Sequence, residues 1–371
     1  MRARPTVRFV LALGVLVATA CAWAGATVRV LLATTPEAVV LAQGAHSGVI
    51  DGARTFHARA GLRWPVSEQG GALVVDGNPL GHTLVLTGDG APLAFAGHRY
   101  RGSLRLIATS AGVEVVNVLD VEAYLRGVVP AEMSASWPMA ALEAQAVAAR
   151  SYALSSRRPG ADYDLCATVD CQVYRGMDEE HARTDRAVAA TEGIVVTYAG
   201  RVARTYYHAD SGGATASSSE VWGTTVPYLV ARADAAAPSG VDRWSVRLDA
   251  AAVADSLARL GKRVGSVMGL RVLQRSGSGR VDLLEVLGTA GSATVTGVQL
   301  GDLSHSWGLR STRFSVVGGL TVQGEGWGHG VGMSQYGALA LAERNYDYTQ
   351  ILGYYYPNTR LVRWVYTTAG G

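Results

Sequence analysis

The stretch GWGHGVGMSQYGA, residues 326–338, decides how this chain is interpreted. Glycine occupies every second position from Gly324 to Gly332. Glycines weaken a strand, but they let the backbone adopt positive φ or approach a ligand closely. Helix-forming sequence follows from Met333 to Ala342. The run therefore predicts a loop that leads into a helix N-terminus, where backbone N–H groups are free to bind.

Polar side chains on this run predict that it forms the wall of a binding site. They are His329, Ser334, Gln335 and Tyr336. The alternative is a loop that only packs tightly, because a short glycine motif is weak evidence of function. A Walker phosphate loop is excluded, since no Gly-Lys-Ser/Thr ending follows. The spacing does not fit a dinucleotide fingerprint either.

Composition predicts a globular, β-rich protein. The chain has 371 residues, with 49% hydrophobic and 17% charged residues, which suffices for two domains or one elaborated domain. The 45 glycines favour turns and β structure. Residues 27 to about 118 alternate short apolar runs with turn signals and contain no convincing helix.

The N-terminus has the features of a secretory signal. Three arginines lie within residues 1–8, an apolar segment spans residues 9–20, and Ala-Trp-Ala at 22–24 gives a cleavage pattern. We therefore expect export to the periplasm, cell wall or medium, with the mature chain starting at Gly25. A lipoprotein cleaved before Cys21 is the alternative. No other stretch of about 18 apolar residues exists, so no membrane span is expected after signal removal.

Charge argues against a polyanion as the partner. The formal net charge of +3 falls to zero on signal removal, because the signal contains three arginines and no acids. Nucleic-acid-binding proteins show a basic patch or stripe, and the arginines here do not cluster. We therefore expect no nucleic acid partner.

Two cysteines remain in the mature chain, Cys166 and Cys171. In an exported protein, one close pair predicts a disulfide that pins a loop. A zinc site is the alternative, but it requires two further ligands, and no histidine follows before His181. No metal or other cofactor is therefore expected.

The pattern changes from strands to helices near Val118. We predict a short helix over Val121–Arg126 and an alanine-rich, buried helix over Met139–Leu154. Arg150 in the second helix needs a partner if it is buried, so it is either paired structurally or directed at a site.

Residues 234–322 have the pattern of an inserted α/β module, with a helix over Ala250–Leu260 between strands. The predicted fold class is α+β: a β-rich protein with an N-terminal β region, a buried alanine-rich helix and this smaller inserted module.

One carboxylate, Glu132, is a candidate general acid. It is predicted to lie on a loop among apolar residues, where desolvation raises a carboxyl pKa towards neutrality. The alternative is that it complements the dipole of the helix that starts at Pro138.

Several ordered motifs resemble the SpoIID family, which includes stage II sporulation protein D and amidase enhancers. The resemblance covers roughly residues 100–358. The segments that carry it are VLDVEAYLRGVVPAEM at 118–133, SWP at 136–138, AQAVAARSYAL at 144–154, CQVYRG at 171–176, YYHADSGG at 206–213, VWG at 221–223, the glycine run at 326–338 and ILGYYY at 351–356.

The resemblance implies a lytic transglycosylase that acts on peptidoglycan. Such an enzyme cleaves MurNAc–GlcNAc bonds without water and leaves a 1,6-anhydroMurNAc end, and the SpoIID type acts on strands stripped of stem peptides. The family's catalytic glutamate corresponds to Glu132. The implied partners are glycan strands and a cell-wall amidase. A protein of another class, a non-catalytic enhancer of an N-acetylmuramoyl-L-alanine amidase, is the alternative. Some members bind zinc at the positions of Cys166 and Cys171, but those sites add histidines that are missing here.

The predicted organisation is a signal peptide at residues 1–24, an N-terminal β-rich region at 25–100, and a SpoIID-like catalytic domain at 101–371. The glycine run and the turn from Tyr207 to Gly213 are predicted to form two walls of a glycan groove. The predicted substrate-binding residues are Arg150, Tyr207, His208, Ser211, Gly212, Gly213, His329, Gly330, Ser334, Gln335 and Tyr336.

Overall fold

Twelve strands span residues 27–120 of the chain. The computed structural model describes residues 26–234 and 243–364. The predicted signal peptide and its cleavage site therefore lie outside the described residues. The strands are β1 (Thr27–Thr35), β2 (Glu37–Ala42), β3 (His46–Ile50), β4 (Arg54–Ala58), β5 (Arg63–Gln69), β6 (Ala72–Val75), β7 (Asn78–Gly81), β8 (Thr83–Gly88), β9 (Leu93–Phe95), β10 (His98–Tyr100), β11 (Ser103–Thr109) and β12 (Gly112–Asp120).

These strands form two antiparallel sheets that share one hydrophobic core. The first has the order β1-β12-β11-β8-β3-β4, and the second has the order β10-β9-β2-β5-β6-β7. Alternate residues face the core, as Val28 and Val30 of β1 and Val113 and Val115 of β12 show by their complete burial. The strands continue to Asp120, beyond the boundary at residue 100 suggested by the sequence.

Asp120 ends the last strand and starts helix α1 (Val121–Glu132). Its Oδ1 accepts the N–H groups of Glu122 at 2.8 Å and Ala123 at 3.4 Å, which caps the helix. The helix extends more than one turn beyond the predicted end at Arg126, and it includes Gly127 and Pro130. Gly127 allows close packing, because a Cβ there would lie 2.5 Å from the carbonyl oxygen of Gly176.

Helix α2 (Met139–Ser155) is the centre of the second core. It agrees with the predicted alanine-rich helix and is buried on nearly all sides, since its alanines let neighbouring elements approach closely. The elements packed around it or connected to it are β13 (Leu165–Cys166), a 3₁₀ helix (Gly176–Glu179), α3 (Ala182–Ala190), β14 (Ile194–Tyr198), β15 (Arg201–Val202), β16 (Tyr207–His208), β17 (Ala214–Thr215), α4 (Ser218–Trp222) and β18 (Arg232–Ala233).

A third core belongs to the segment that the sequence indicated as an insertion. Its apolar side chains, among them Val253, Leu284 and Phe314, form a cluster distinct from the other two. The elements are β19 (Arg243–Arg247), α5 (Ala250–Arg259), β20 (Val267–Arg275), β21 (Val281–Gly288), β22 (Gly291–Thr296), α6 (Gly297–Leu303), β23 (Phe314–Gly318) and β24 (Thr321–Glu325). We call residues 243–325 the module.

The chain returns from β24 through the glycine run to the second core. The remaining elements are β25 (Met333–Ser334), α7 (Gln335–Glu343), α8 (Tyr348–Tyr355) and β26 (Arg360–Arg363). Strand β25 pairs in parallel with β16, with Tyr207 opposite Met333 and His208 opposite Ser334. The observed fold is α+β, as predicted, and this pairing joins the two glycine-containing segments that were predicted to form a site.

Candidate active site

Glu132 is the last residue of α1, and its carboxylate accepts hydrogen bonds from two other parts of the chain. The N–H of Val173 donates to Oε1 at 3.0 Å, and Nε2 of Gln335 donates to Oε2 at 3.3 Å. Burial raises the pKa of Glu132, and the hydrogen bonds from Val173, Gln335 and Tyr207 lower it, with burial the larger effect. The side chain thus has the environment of an acid that keeps its proton to a higher pH than an ordinary glutamate does.

Glu132 lies in a cleft of 540 Å³, which we call the cleft. Both predicted walls contribute to it, together with the loop that contains the cysteines. The residues that line it are Glu132, Tyr152, Val169, Asp170, Cys171, Val173, Tyr206, Tyr207, His208, Ala209, Trp222, Trp327, Gly328, His329 and Gln335. Two large aromatic side chains are partly exposed there, Trp222 at 37% and Trp327 at 50%. The lining thus combines aromatic faces with a few polar groups, as ligand sites commonly do.

A chain of hydrogen bonds behind Glu132 fixes the orientation of Tyr207. The hydroxyl of Tyr124 donates to Oε1 of Gln172 at 3.1 Å, and Nε2 of Gln172 donates to the Tyr207 hydroxyl at 2.8 Å. Because the Tyr207 hydroxyl oxygen accepts from Gln172, its own proton is available to donate to the Glu132 carboxylate. Burial also raises the pKa of Tyr207 well above its usual value, so the phenol stays protonated. Sequence reasoning missed Gln172, although it lies in the motif at 171–176.

The two histidines of the cleft are neutral, and their tautomers are set by the backbone of Val331. The N–H of Val331 donates to Nδ1 of His329 at 2.9 Å, and Nδ1 of His208 lies 3.2 Å from the Val331 carbonyl oxygen, to which it donates. Burial lowers the pKa of His329 to about 4 and lowers that of His208 well below its usual value. Neither imidazole therefore carries charge at neutral pH, and Nε2 of His208 is buried without a hydrogen-bond partner among the described residues.

The glycine run needs glycine for its conformation as well as for access. Gly326, Gly328, Gly330 and Gly332 all have φ between 75° and 102°, a region that disfavours side chains. A Cβ on Gly332 would lie 2.0 Å from the carbonyl oxygen of Tyr206. The tight packing of the run is therefore observed, and it places Trp327 and His329 on the cleft; a binding role for the run stays a prediction.

Six of the predicted binding residues support the walls and do not line the cleft. Ser211 is buried and donates to Oδ2 of Asp234 at 2.8 Å, and Ser334 caps α7. Gly330 packs on Arg280, and Tyr336 packs on Trp137 with ring centroids 5.2 Å apart. The six are Ser211, Gly212, Gly213, Gly330, Ser334 and Tyr336.

The position of Arg150 does not agree with substrate binding. Its side chain is completely buried, and it forms a bidentate pair with Glu122 at 2.7 and 2.6 Å. Its remaining N–H groups donate to the carbonyl oxygens of Ile194 and Val188. The buried guanidinium, with its N–H groups bonded to these partners, joins α1, α2 and the α3–β14 connection. Arg150 is therefore paired structurally and is not directed at the cleft.

The acidic residue on the cleft lining besides Glu132 is Asp170, on the loop between the cysteines. Asp210, which follows the predicted wall residues, is 2% exposed and accepts the N–H of Gly212 at 2.6 Å. It stabilises a turn, and it does not line the cleft.

Cys166 and Cys171 form a disulfide with their Cα atoms 5.4 Å apart, and Cys171 lines the cleft. The loop that they close carries Val169, which is 80% exposed. Within residues 26–234 and 243–364, no group of three or more His, Cys, Asp or Glu side chains is placed to hold a metal ion.

We expect the unreduced, denatured mature protein to show no free thiol in a titration with a chromogenic disulfide. Reduction should expose two thiols, because a chain cleaved after Ala24, as the N-terminal pattern predicts, contains only Cys166 and Cys171. Elemental analysis of the native protein is the control for metal. Two free thiols before reduction, or stoichiometric zinc, would contradict the disulfide.

No helix in the part of the chain that the structure describes is long and apolar enough to cross a membrane.

Comparisons with known proteins match two segments of the chain. Residues 109–198 match the family model described as stage II sporulation protein, SpoIID, and residues 237–332 match a domain of unknown function, DUF8618. An uncharacterised protein of Brachyspira hyodysenteriae is 34% identical over 274 residues, which cover 72% of this chain and 73% of the relative.

Two further relatives have names that bear on function. The amidase enhancer of Bacillus subtilis is 31% identical over 290 residues, or 64% of this chain and 40% of the relative. The stage II sporulation protein D of Bacillus amyloliquefaciens is 29% identical over 269 residues, or 65% of this chain and 74% of the relative. This chain thus spans well under half the length of the enhancer that it resembles.

Proposed function

Since this chain belongs to the SpoIID family, we propose that it is a peptidoglycan lytic transglycosylase, with Glu132 as the general acid and base. It cleaves the bond between MurNAc and GlcNAc in glycan strands and leaves a 1,6-anhydroMurNAc end. The observation that carries the proposal is the Glu132 carboxyl group, held in an aromatic cleft by donors from Val173, Gln335 and Tyr207.

The raised pKa of Glu132 supports its role as a proton donor. In the first half of the reaction, the protonated carboxyl group gives its proton to the glycosidic oxygen as the bond from that oxygen to C1 of MurNAc breaks. The developing positive charge on the sugar then lies beside a carboxylate. The hydrogen bonds of Val173, Gln335 and Tyr207 stabilise that carboxylate, because they favour the charged form.

In the second half of the reaction, the same carboxylate takes the proton of the MurNAc 6-hydroxyl. The oxygen of that hydroxyl attacks C1 and closes the 1,6-anhydro ring, so one bond breaks, one forms and no water is consumed. Ordinary glycosidases use two carboxylates across the bond. A single well-placed carboxyl group suffices here, because the nucleophile belongs to the substrate.

The aromatic side chains support a glycan as the substrate. Trp222 packs on Tyr206 with ring centroids 4.4 Å apart, and Trp327 stands exposed on the glycine run. Flat aromatic surfaces match the C–H faces of sugar rings. The Gln335 amide on the lining matches hydroxyl and acetamido groups.

Product analysis on purified glycan strands tests the proposal. Mass spectrometry should find anhydroMurNAc ends that accumulate with time in the presence of the mature protein. Ordinary reducing ends would identify water as the nucleophile, and Asp170 would then be the second carboxylate to examine, since it lies on the cleft lining.

The alternative is that the protein binds glycan and stimulates a cell-wall amidase, as the name of the Bacillus subtilis relative suggests. The same cleft would then hold a strand without turnover. The absence of new ends, together with faster release of stem peptides when an amidase is added, would favour this function. In either function the protein acts on the cell wall, so we propose that it is exported. We also propose that no metal or other cofactor takes part.

We expect the kcat/KM of strand cleavage to fall as pH rises through the pKa of Glu132. The acid form is the proton donor, and burial raises its pKa, so the decline should begin above the usual glutamate value of about 4.3. A pH profile measured on glycan strands gives the midpoint. A decline centred at or below the usual value would contradict a desolvated acid.

A further inference from the structure

A second cavity, of 190 Å³, adjoins the cleft, and we call it the side pocket. It lies between α4, the module's α6 and the segment at residues 310–312. Trp222, Gly328 and His329 belong to the linings of both the cleft and the side pocket. The N–H of Gly328 also donates to the carbonyl oxygen of Arg310 at 2.8 Å, which fixes Arg310 beside the glycine run. The module therefore contributes a residue to the boundary between the two cavities.

Arg310 brings a cation to this boundary. It is exposed, and its guanidinium carbon lies 4.7 Å from the centroid of the Trp327 ring. Trp327 lines the cleft and remains 50% exposed. Arg310 forms no ion pair within the part of the chain that the structure describes, and stacking on a ring leaves the in-plane N–H groups of a guanidinium available. A sugar that packs on the exposed part of the Trp327 ring therefore lies beside a cation with N–H groups to donate.

The other charged residues of the side pocket do not neutralise Arg310. Arg280 is buried and donates to two backbone carbonyl oxygens, at 2.9 and 3.1 Å, and Glu220 accepts two backbone N–H groups, at 2.9 and 3.1 Å. Asp282 and Asp302 also line the side pocket, and neither pairs with Arg310 among the described residues. These acids disfavour an anion deep in the side pocket. The place that attracts an anion is thus the boundary with the cleft, where Arg310 stacks on the cleft's own aromatic wall.

A glycan strand without stem peptides carries one kind of charge. Its sugar rings and acetamido groups are neutral, but the lactyl group on O3 of each MurNAc ends in a carboxylate. Where a stem peptide is attached, the same carbon is a neutral amide. A guanidinium recognises a planar carboxylate through two parallel N–H bonds. One carboxylate per disaccharide calls for a single local cation rather than a basic surface, which agrees with the net charge of zero expected after signal removal.

We propose that Arg310 is a specificity-determining residue that binds the free lactyl carboxylate of a MurNAc residue in the cleft. Trp327 packs on the sugar, and the guanidinium stacked on its ring pairs with the carboxylate. This inference rests on the proposed function in that it takes glycan as the ligand of the cleft. A strand that still carries its peptides offers an amide to Arg310 and loses the ion pair. The module thereby favours strands on which an amide-cleaving reaction has already freed the lactyl group.

Calorimetry on the mature Glu132→Gln protein tests the inference without turnover. The first ligand is a peptide-free tetrasaccharide of MurNAc and GlcNAc, and the second is the same tetrasaccharide with its lactyl carboxylates converted to primary amides. We expect the acid form to bind about five- to twenty-fold more tightly, between the effect of an exposed ion pair and that of a hydrogen bond to a charged group. Adding Arg310→Gln should remove this difference and leave the affinity for the amide form unchanged. Adding Arg310→Lys, which keeps the charge, should retain part of the difference.

A matched control lies elsewhere on the module. Arg263 is exposed and lines neither cavity, so Arg263→Gln should keep the full difference between the two ligands. Equal binding of the two ligands, a difference that survives Arg310→Gln, or an equal loss of affinity for both ligands in that variant would overturn the inference. In each of these cases, anhydro ends formed by the wild type still support the proposed function. A difference that Arg310→Gln removes, with no anhydro ends from the wild type, would support the inference and overturn the proposed function alone.

Discussion

Glu132→Gln should lower the turnover number for glycan strands by about 10²–10⁴-fold, the typical contribution of general acid–base catalysis. Glutamine keeps the size and accepts the Val173 N–H, but it cannot donate a proton to the leaving oxygen. The measurement is the initial rate of anhydro end formation by mass spectrometry. Glycan affinity should change little, because the amide keeps the size of the side chain and the hydrogen bond from Val173.

Two controls accompany this variant. Glu192→Gln changes an exposed glutamate outside the cleft and should leave the rate unchanged. The free energy of unfolding of Glu132→Gln should not be lower than that of the wild type at pH 7. A glutamate whose pKa is raised in the folded state destabilises that state once the pH exceeds its unfolded pKa, and the amide removes this cost. A rate within a factor of three of the wild type would exclude Glu132 as the acid.

Arg150→Met should lower the free energy of unfolding by about 3–5 kcal/mol, the typical effect of breaking a buried ion pair from one side. Glu122 would lose a bidentate partner, and the carbonyl oxygens of Val188 and Ile194 would lose a donor inside the protein. Urea unfolding followed by circular dichroism measures the change for the transition that includes α2.

Arg186→Met is the matched control, because Arg186 is exposed on α3. The double variant Glu122→Gln with Arg150→Met should be less destabilised than the sum of the single variants, since both remove the same interaction. A loss below about 1 kcal/mol combined with weaker glycan binding would restore Arg150 to the predicted set of binding residues.

Helix α2 and the raised pKa of Glu132 could be predicted because the relevant signals are local. Alanine spacing and Pro138 indicated the helix within one residue of its observed end at Ser155. The end of α1 was predicted too early, because Gly127 and Pro130 are helix breakers by propensity. Gly127 is instead required by the close approach of Gly176, and Pro130 lies inside the helix although it lacks the N–H of a regular helical residue.

The contacts that decide between binding and packing could not be predicted, because they are distant in sequence. Arg150 pairs with a glutamate 28 residues earlier, and Gln335 reaches Glu132 across 203 residues. The same holds for Trp222 and Trp327, whose places on the cleft follow from how the module returns to the second core. A single sequence shows that such residues are suited to a site or to a core, but it does not show which.

The way the module joins the rest of the chain has a mechanical consequence. Its first and last strands are antiparallel partners, with Arg243 opposite Glu325, and Gly326 follows the last strand directly. Backbone hydrogen bonds between Asp210 and Trp327, and the hydrogen bonds from the Arg280 side chain to the carbonyl oxygens of Ala214 and Ser211, tie the module and the segment that carries Trp327 to the second core. The place of the Trp327 ring on the cleft is therefore set from the module side as well as from the second core, so the module acts as a buttress for one wall of the cleft.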